Sequence, residues 1–264
     1  MLPDEMLNAA RRADLYAVRN WLEDESDGVR DVDDVGSSQL QSHGASWTLL
    51  MSCSNGTDDF EITSAHVDLA RYLLSCGATV DVRNHFGYTA LLYTCYRGGA
   101  AQPEMVSLLL SAGANPNVKH CSSQTPLCAY VETAYSPSLD VVTALLRAGA
   151  SLELRYEDGF SIDDYLRERL RNNEERYLPR IDGGTYDAIK VLFAGVRRAG
   201  SFKSYCREPH REVLLLRGLA MRGHLMPRRR TRGTAEWTAA AAFLARLGDN
   251  GVVWNVLSFW RAAN

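Results

Sequence analysis

The sequence predicts an all-α fold, a solenoid of about five helical hairpins followed by a helical C-terminal segment. Three observations predict it. Gly77-Ala78, Gly113-Ala114 and Gly149-Ala150 each close an apolar stretch of helical character, and they recur at a step of 36 residues. Thr89, Thr125 and Ser161 keep the same step. After Gly200 the period stops and the composition changes. Two unrelated marks on one period mean one structural unit copied along the chain. A period of this size is the signature of a solenoid, an architecture that binds more often than it catalyses.

The clearest unit spans residues 84–119. Gly87 permits a tight turn with positive φ. Thr89 is placed to cap the helix that follows. Leu91, Leu92 and Cys95 give that short helix one buried stripe. Gly98-Gly99 breaks it. Pro103 suits the first turn of a second helix, where a missing N–H costs nothing. Met105, Val106, Leu108, Leu109 and Leu110 make the second helix apolar on most sides, so it is expected to be sandwiched. Gly113 ends it as a left-handed cap.

This pattern resembles the ankyrin repeat: a turn, a helix opening on T-P-L-H-x-A, and a second helix ending in L-L-x-x-G-A. Thr125-Pro126-Leu127 with Leu145-Leu146-Arg147-Ala148-Gly149-Ala150 carries the resemblance, as does Thr89-Ala90-Leu91 with Leu109-Leu110-Ser111-Ala112-Gly113-Ala114. Trp47-Thr48-Leu49-Leu50 with Leu73-Leu74-Ser75-Cys76-Gly77-Ala78 is a third copy, with an inserted loop expected from Asn55 to Thr63. An N-terminal copy begins at Leu7-Asn8-Ala9-Ala10, with Val18, Trp21 and Leu22 on its second helix. A degraded fifth copy starts at Asp158-Gly159-Phe160-Ser161. Its second helix is expected from Tyr186 to Phe193, after polar residues Glu168 to Gly184. The repeats then fall at about 1–42, 43–83, 84–119, 120–155 and 156–200, with a separate segment at 201–264. The histidine of T-P-L-H is absent, with Met51, Leu92, Cys128 and Asp164 in its place. Its loss implies fewer polar ties between repeats. Asp163 stands where a core leucine is expected, which marks the fifth copy as frayed or reshaped.

The C-terminal segment reads as helices at Arg211 to Arg222, Ala235 to Leu247 and Val252 to Arg261, with a basic loop from Pro227 to Gly233. Such helices suit a cap on the open end of a solenoid, whose inner face would otherwise meet water. Leu247, Val252, Val256, Leu257 and Phe259 also resemble the opening of an F-box, which implies a substrate receptor binding a cullin-ligase adaptor. Gly248 replaces the proline of that pattern. Ser201-Phe202-Lys203-Ser204-Tyr205-Cys206 resembles the elongin-binding element of SOCS-box tails, although Pro209 would break the helix that element needs.

Composition narrows the function. A net charge of −3 gives no global drive toward nucleic acid or anionic membrane. The six cysteines show no C-x-x-C spacing, so neither zinc nor a redox motif is expected. Free thiols in a reducing compartment are the simpler reading, and the chain is expected in the cytoplasm. Arg228-Arg229-Arg230 leaves a nuclear-import reading open. No apolar run is long enough to span a membrane. No Walker A, H-E-x-x-H, G-x-S-x-G or G-x-G-x-x-G occurs, so no enzyme, cofactor or catalytic residue is expected. The six histidines lie far apart; His43, His85 and His120 fall at repeat starts and read as exposed turn residues rather than metal ligands.

The resemblance implies a monomeric module that binds a protein partner on a concave face of loops and first helices. The positions that face supplies here are Trp47, His85, Phe86, Tyr88, Tyr96, Arg97, Gln124, Glu132, Glu157, Asp158 and Phe160. Tyr, Trp, Phe and Arg dominate interface energy. An aromatic centre with an acidic end at Glu157-Asp158 suits a partner bearing an apolar anchor and a basic residue. Charge reversal at both Glu157 and Asp158 is expected to weaken that partner's binding; unchanged affinity in a titration would discard the acidic end.

Overall fold

The computed structural model describes residues 2–24, 30–37, 46–56, 59, 61–133, 137–154, 159–172 and 183–208. Its elements are α1 (Asp4–Arg11), α2 (Leu15–Glu23), β1 (Gly36–Ser37), β2 (Ser46–Trp47), α3 (Leu49–Asn55), α4 (Ser64–Ser75), α5 (Ala90–Tyr96), α6 (Gln102–Ser111), α7 (Pro126–Thr133), α8 (Leu139–Arg147), α9 (Ile162–Asn172) and α10 (Gly183–Ala199). The first eight helices come in pairs. The first helices α1, α3, α5, α7 and α9 stack in series, and the second helices α2, α4, α6 and α8 form a row behind them. The two strands pair antiparallel over two residues each. The fold is an all-α solenoid. The chain divides between Ala194 and Gly195 into two units.

Local chemistry repeats with the period. Thr48, Thr89 and Thr125 each accept, through the hydroxyl, the backbone N–H three residues on: Met51, Leu92 and Cys128. Ser161 does the same for Asp164, and the Asp164 carboxylate accepts from the Ser161 N–H and hydroxyl. These caps start each of the later first helices in the same orientation. Leu50, Leu91 and Leu127, two residues after their threonines, are fully buried. In the second helices Leu73, Leu109 and Leu145 are completely enclosed, while Leu108 and Leu110 are only half-buried. So α6 is covered on one broad face rather than on every side.

The second helices end alike. The N–H groups of Gly77 and Ala78 reach back to the carbonyls of Leu74 and Leu73; Gly113 and Ala114 do so to Leu110 and Leu109; Gly149 and Ala150 do so to Leu146 and Leu145. This is the Schellman arrangement, which places the first residue of each pair in left-handed backbone. The three glycines have φ of 93°, 94° and 97°. The same cap closes α1, but there Ala13 takes the left-handed place at φ 58°.

The fifth hairpin departs from expectation in two ways. Despite Asp163, a first helix forms, because Ile162 and Leu166 supply the buried contacts. It runs to Asn172, through part of the polar stretch. The second helix is longer than Tyr186 to Phe193, spanning Gly183–Ala199, with Tyr186, Ile189 and Phe193 buried. The Tyr186 hydroxyl donates to the Val131 carbonyl on α7 at 3.4 Å. In the C-terminal unit residues 202–208 are helical.

The insertion before α4 gains a main-chain clamp. Ile62 N–H donates to the Gly98 carbonyl at 2.9 Å, and the Ala101 N–H donates to the Ile62 carbonyl at 3.3 Å. A Cβ on Gly99 would sit 2.5 Å from the Ile62 backbone, so only glycine fits there.

Two expectations follow. Ala13→Gly should raise stability by about 0.5–1 kcal/mol in urea unfolding, since it relieves left-handed strain of ~1–2 kcal/mol less the entropy that glycine adds to the unfolded chain. Gly99→Ala should cost more than Gly113→Ala: the latter meets open space and loses only ~1–2 kcal/mol of backbone strain, whereas the former adds a main-chain clash.

Candidate interaction face

The face is built from the ends of the first helices and the turns that precede them. Each turn is fixed by one side chain. Asn84 Oδ1 accepts the N–H groups of Phe86 and Tyr88. One period later His120 Nδ1 accepts the Ser122 N–H at 3.0 Å. Backbone bonds match as well: Gly87 N–H to Asn84 and Ser123 N–H to His120. Gly87 has φ 79°, and Ser123 holds the same place at 61°.

Rings stack across these turns. Trp47 and Tyr93 lie 4.5 Å apart, Tyr93 and Tyr88 5.0 Å, and Tyr88 and His120 4.6 Å at an interplanar angle of 10°. Tyr96 closes on both Tyr88 and His120 at a tilt. Hydrogen bonds tie the stack down. Asn84 Nδ2 donates to the Tyr93 hydroxyl at 2.8 Å. The Tyr96 hydroxyl donates to Gln124 Oε1, and the Gln124 amide donates to Glu132. His120 Nε2 lies 2.9 Å from Gln124 Oε1, and so donates there. The Arg97 guanidinium donates to Asn55 Oδ1 at 2.9 Å from Nε.

Partial burial sets the electrostatics. It pushes the phenols of Tyr88, Tyr93 and Tyr96 above the ordinary tyrosine range. On α7 the Tyr130 phenol is pushed up to about 12 by burial, against the stabilising N–H of Ser138. The Arg97 guanidinium is lowered to about 10, first by burial and then by the positive charge of Arg11.

The expected contact residues divide by accessibility. Tyr88, Tyr96, Arg97, Gln124 and Glu132 come together and are half-buried; His85 is exposed, with Nδ1 3.2 Å from the Ser46 hydroxyl. Phe86 is half-buried, and its carbonyl accepts the Cys121 N–H. Trp47 is only 4% exposed, so it forms the inner end of the ring stack instead of a docking surface. Phe160, 49% exposed, stands apart against the edge of Tyr165. Glu157 and Asp158 lie outside the described residues, as do His43, the Arg228-Arg229-Arg230 run and Leu247, Val252, Val256, Leu257 and Phe259. His120 is a correction: it is 7% exposed, because Tyr88 covers its ring. Tyr93 was not among the expected residues. Its position four after the Thr89 cap and three before Tyr96 was the available signal.

Polar ties between repeats are carried by other residues. In the loops the Asp33 carboxylate accepts the Thr79 N–H, the Asp81 carboxylate accepts the Asn115 N–H, and Asn117 Oδ1 accepts the Ser151 N–H. The acceptors thus seize the N–H two residues past each capping glycine. Near the array's start the Ser52 hydroxyl donates to the Leu7 carbonyl. Buried His66 accepts at Nδ1 from the Thr63 N–H and donates from Nε2 to the Arg11 carbonyl at 3.0 Å.

Residues 60–156 match a family model described as ankyrin repeats, in three copies. This stretch carries ankyrin repeats. The match covers α4 to α8, which hold the Asp81–Asn117 loop ladder and, apart from Trp47, the ring stack. A search of curated proteins gives no match. The ankyrin match ends at residue 156 and lends no support to the F-box-like or SOCS-box-like likeness of the C-terminal segment. Among the described residues no helix is long and apolar enough to cross a membrane. Among the same residues no three His, Cys, Asp or Glu side chains gather as metal ligands do. Of the free cysteines, Cys53, Cys95 and Cys128 are buried, whereas Cys76 and Cys121 are exposed.

Asp81→Ala should lower unfolding free energy by about 1 kcal/mol, the scale of an exposed charge-assisted bond, with exposed Asp68→Ala as a near-neutral control. Alkaline titration should show delayed tyrosine ionisation. For Tyr93, Tyr96 and Tyr130 the folded pKa exceeds the unfolded value near 10, so their stabilising contribution is complete below pH ~10 and is lost as pH rises through the folded values. Absorbance of phenolate should therefore rise with loss of helical circular dichroism above pH ~10, rather than before it.

Proposed function

We propose that the chain is a non-catalytic protein-interaction module that holds a partner protein on the face of its first helices and turns. The contact residues of this reading are His85, Phe86, Tyr88, Tyr96, Gln124 and Glu132, with Arg97 beside them. One observation carries it: Tyr88 and Tyr96 are half-exposed, yet their rings are already fixed by stacking and hydrogen bonds. Aromatic groups ordered in advance lose little freedom on binding, which is what an interface hot spot requires. The ankyrin match supports a protein as the partner. Three buried reduced thiols support a reducing compartment, the cytoplasm.

Affinity capture from the native cell with the full chain tests this. Proteins held by the wild type should be lost, at about tenfold or more, from Tyr88→Ala, a hot-spot loss of ~2 kcal/mol. Equal recovery on wild type and on the double variant His85→Ala, Tyr88→Ala would overturn the assignment of this face.

A further inference from the structure

Two turns of the interaction face are copies of one another, yet they are pinned by different atoms. In the first, Asn84 Oδ1 accepts the N–H groups of Phe86 and Tyr88 at 3.1 and 2.9 Å, and Gly87 takes the left-handed place at φ 79°. In the second, His120 Nδ1 accepts the Ser122 N–H at 3.0 Å, and Ser123 takes the left-handed place at φ 61°. The second turn is the weaker one on two independent counts. Its left-handed residue carries a Cβ, which strains the backbone there. Its acceptor is an imidazole nitrogen with one lone pair, which accepts only while it holds no proton. The amide oxygen of the first turn has two lone pairs and keeps both as pH falls.

We infer that the 120–124 turn is an acid-released latch on the interaction face. The inference rests on the partner-binding reading above and adds its regulation. Imidazole is the side chain that gains a proton between about pH 5 and 8. His120 Nε2 already donates its hydrogen to Gln124 Oε1 at 2.9 Å, so a second proton goes to Nδ1. That new N–H then faces the Ser122 N–H, and the pin becomes a repulsion. The strained turn opens, and the contacts that hang on it go with it. These are the Tyr88 ring stacked on His120, and Gln124, which receives the Tyr96 hydroxyl and donates to Glu132. The charged groups around the ring act in both directions. Glu132, reached through Gln124, and the face of Tyr88 favour a charged imidazole. Arg83, whose guanidinium donates to the Lys119 carbonyl, and the adjacent Lys119 charge oppose it. The Tyr96 hydroxyl, 3.0 Å from Nε2, and the Cys121 sulfur, 3.6 Å from Nδ1, complete the surroundings. None of these groups replaces the acceptor that Ser122 loses, so the latch is closed at higher pH and released as pH falls.

The test is amide hydrogen exchange on the full chain, followed by NMR at about pH 7.5 and about pH 5.5, with protection corrected for intrinsic rates. The expected result is at least about a tenfold loss of protection at Ser122 on acidification, with Phe86 and Tyr88 in the sibling turn unchanged. His120→Asn puts the sibling's acceptor into this turn and should abolish the loss. Ser123→Gly removes the strain and should move the loss to lower pH; it carries the test if His120→Asn fails to melt cooperatively. Ser122 protection that ignores pH, or that falls equally in wild type and both variants, overturns the inference. A loss that persists in His120→Asn belongs to His66, whose Nδ1 pins the Thr63 N–H on α4 in the same way, and it too overturns the inference. Proteins captured at the higher pH should be released from the wild type at the lower one, at about tenfold or more, and not from His120→Asn. Loss of Ser122 protection with capture indifferent to Tyr88→Ala leaves the latch standing and removes the binding face. Capture that depends on Tyr88 with Ser122 protection constant removes the latch alone.

Discussion

A helical hairpin of this length cannot bury its apolar side alone, and the rest of the molecule depends on neighbours supplying the missing cover. Leu49, Leu91 and Leu127 reach zero exposure only because each first helix lies between two others. That requirement fixes the spacing of hairpins. The spacing in turn brings loops close enough for Asp81 and Asn117 to reach the N–H groups of the following repeat. It also sets aromatic residues from successive turns at stacking distance. The face is therefore a by-product of core packing.

Much of the array was legible in the sequence because its marks are backbone marks. A threonine before a helix and a glycine after one have few alternative explanations, and a fixed interval between them leaves fewer. The core residues of α5 and α7 followed from the interval directly. Two features escaped. Ala13 occupies a left-handed site without the glycine that would announce it. A histidine tie between hairpins comes from His66 on a second helix, where no repeat pattern points.

The face was legible in part. Positions around the caps were correct as places, but accessibility could not be read from spacing. Trp47 is enclosed because Tyr93 covers it, and His120 because Tyr88 does. Both outcomes depend on the neighbouring hairpin, many residues away along the chain.

The Ile62 clamp has a consequence for motion. Most contacts between hairpins here are side chain to side chain and can loosen one at a time. Ile62 instead joins the segment before α4 to the segment before α6 by two peptide groups, against Gly99, which admits no Cβ. Opening the second hairpin must break both bonds together and leave two enclosed amides without partners. Amide hydrogen exchange across these two hairpins then proceeds by one shared opening, and the pair breathes as a single cooperative block within an otherwise segmental chain.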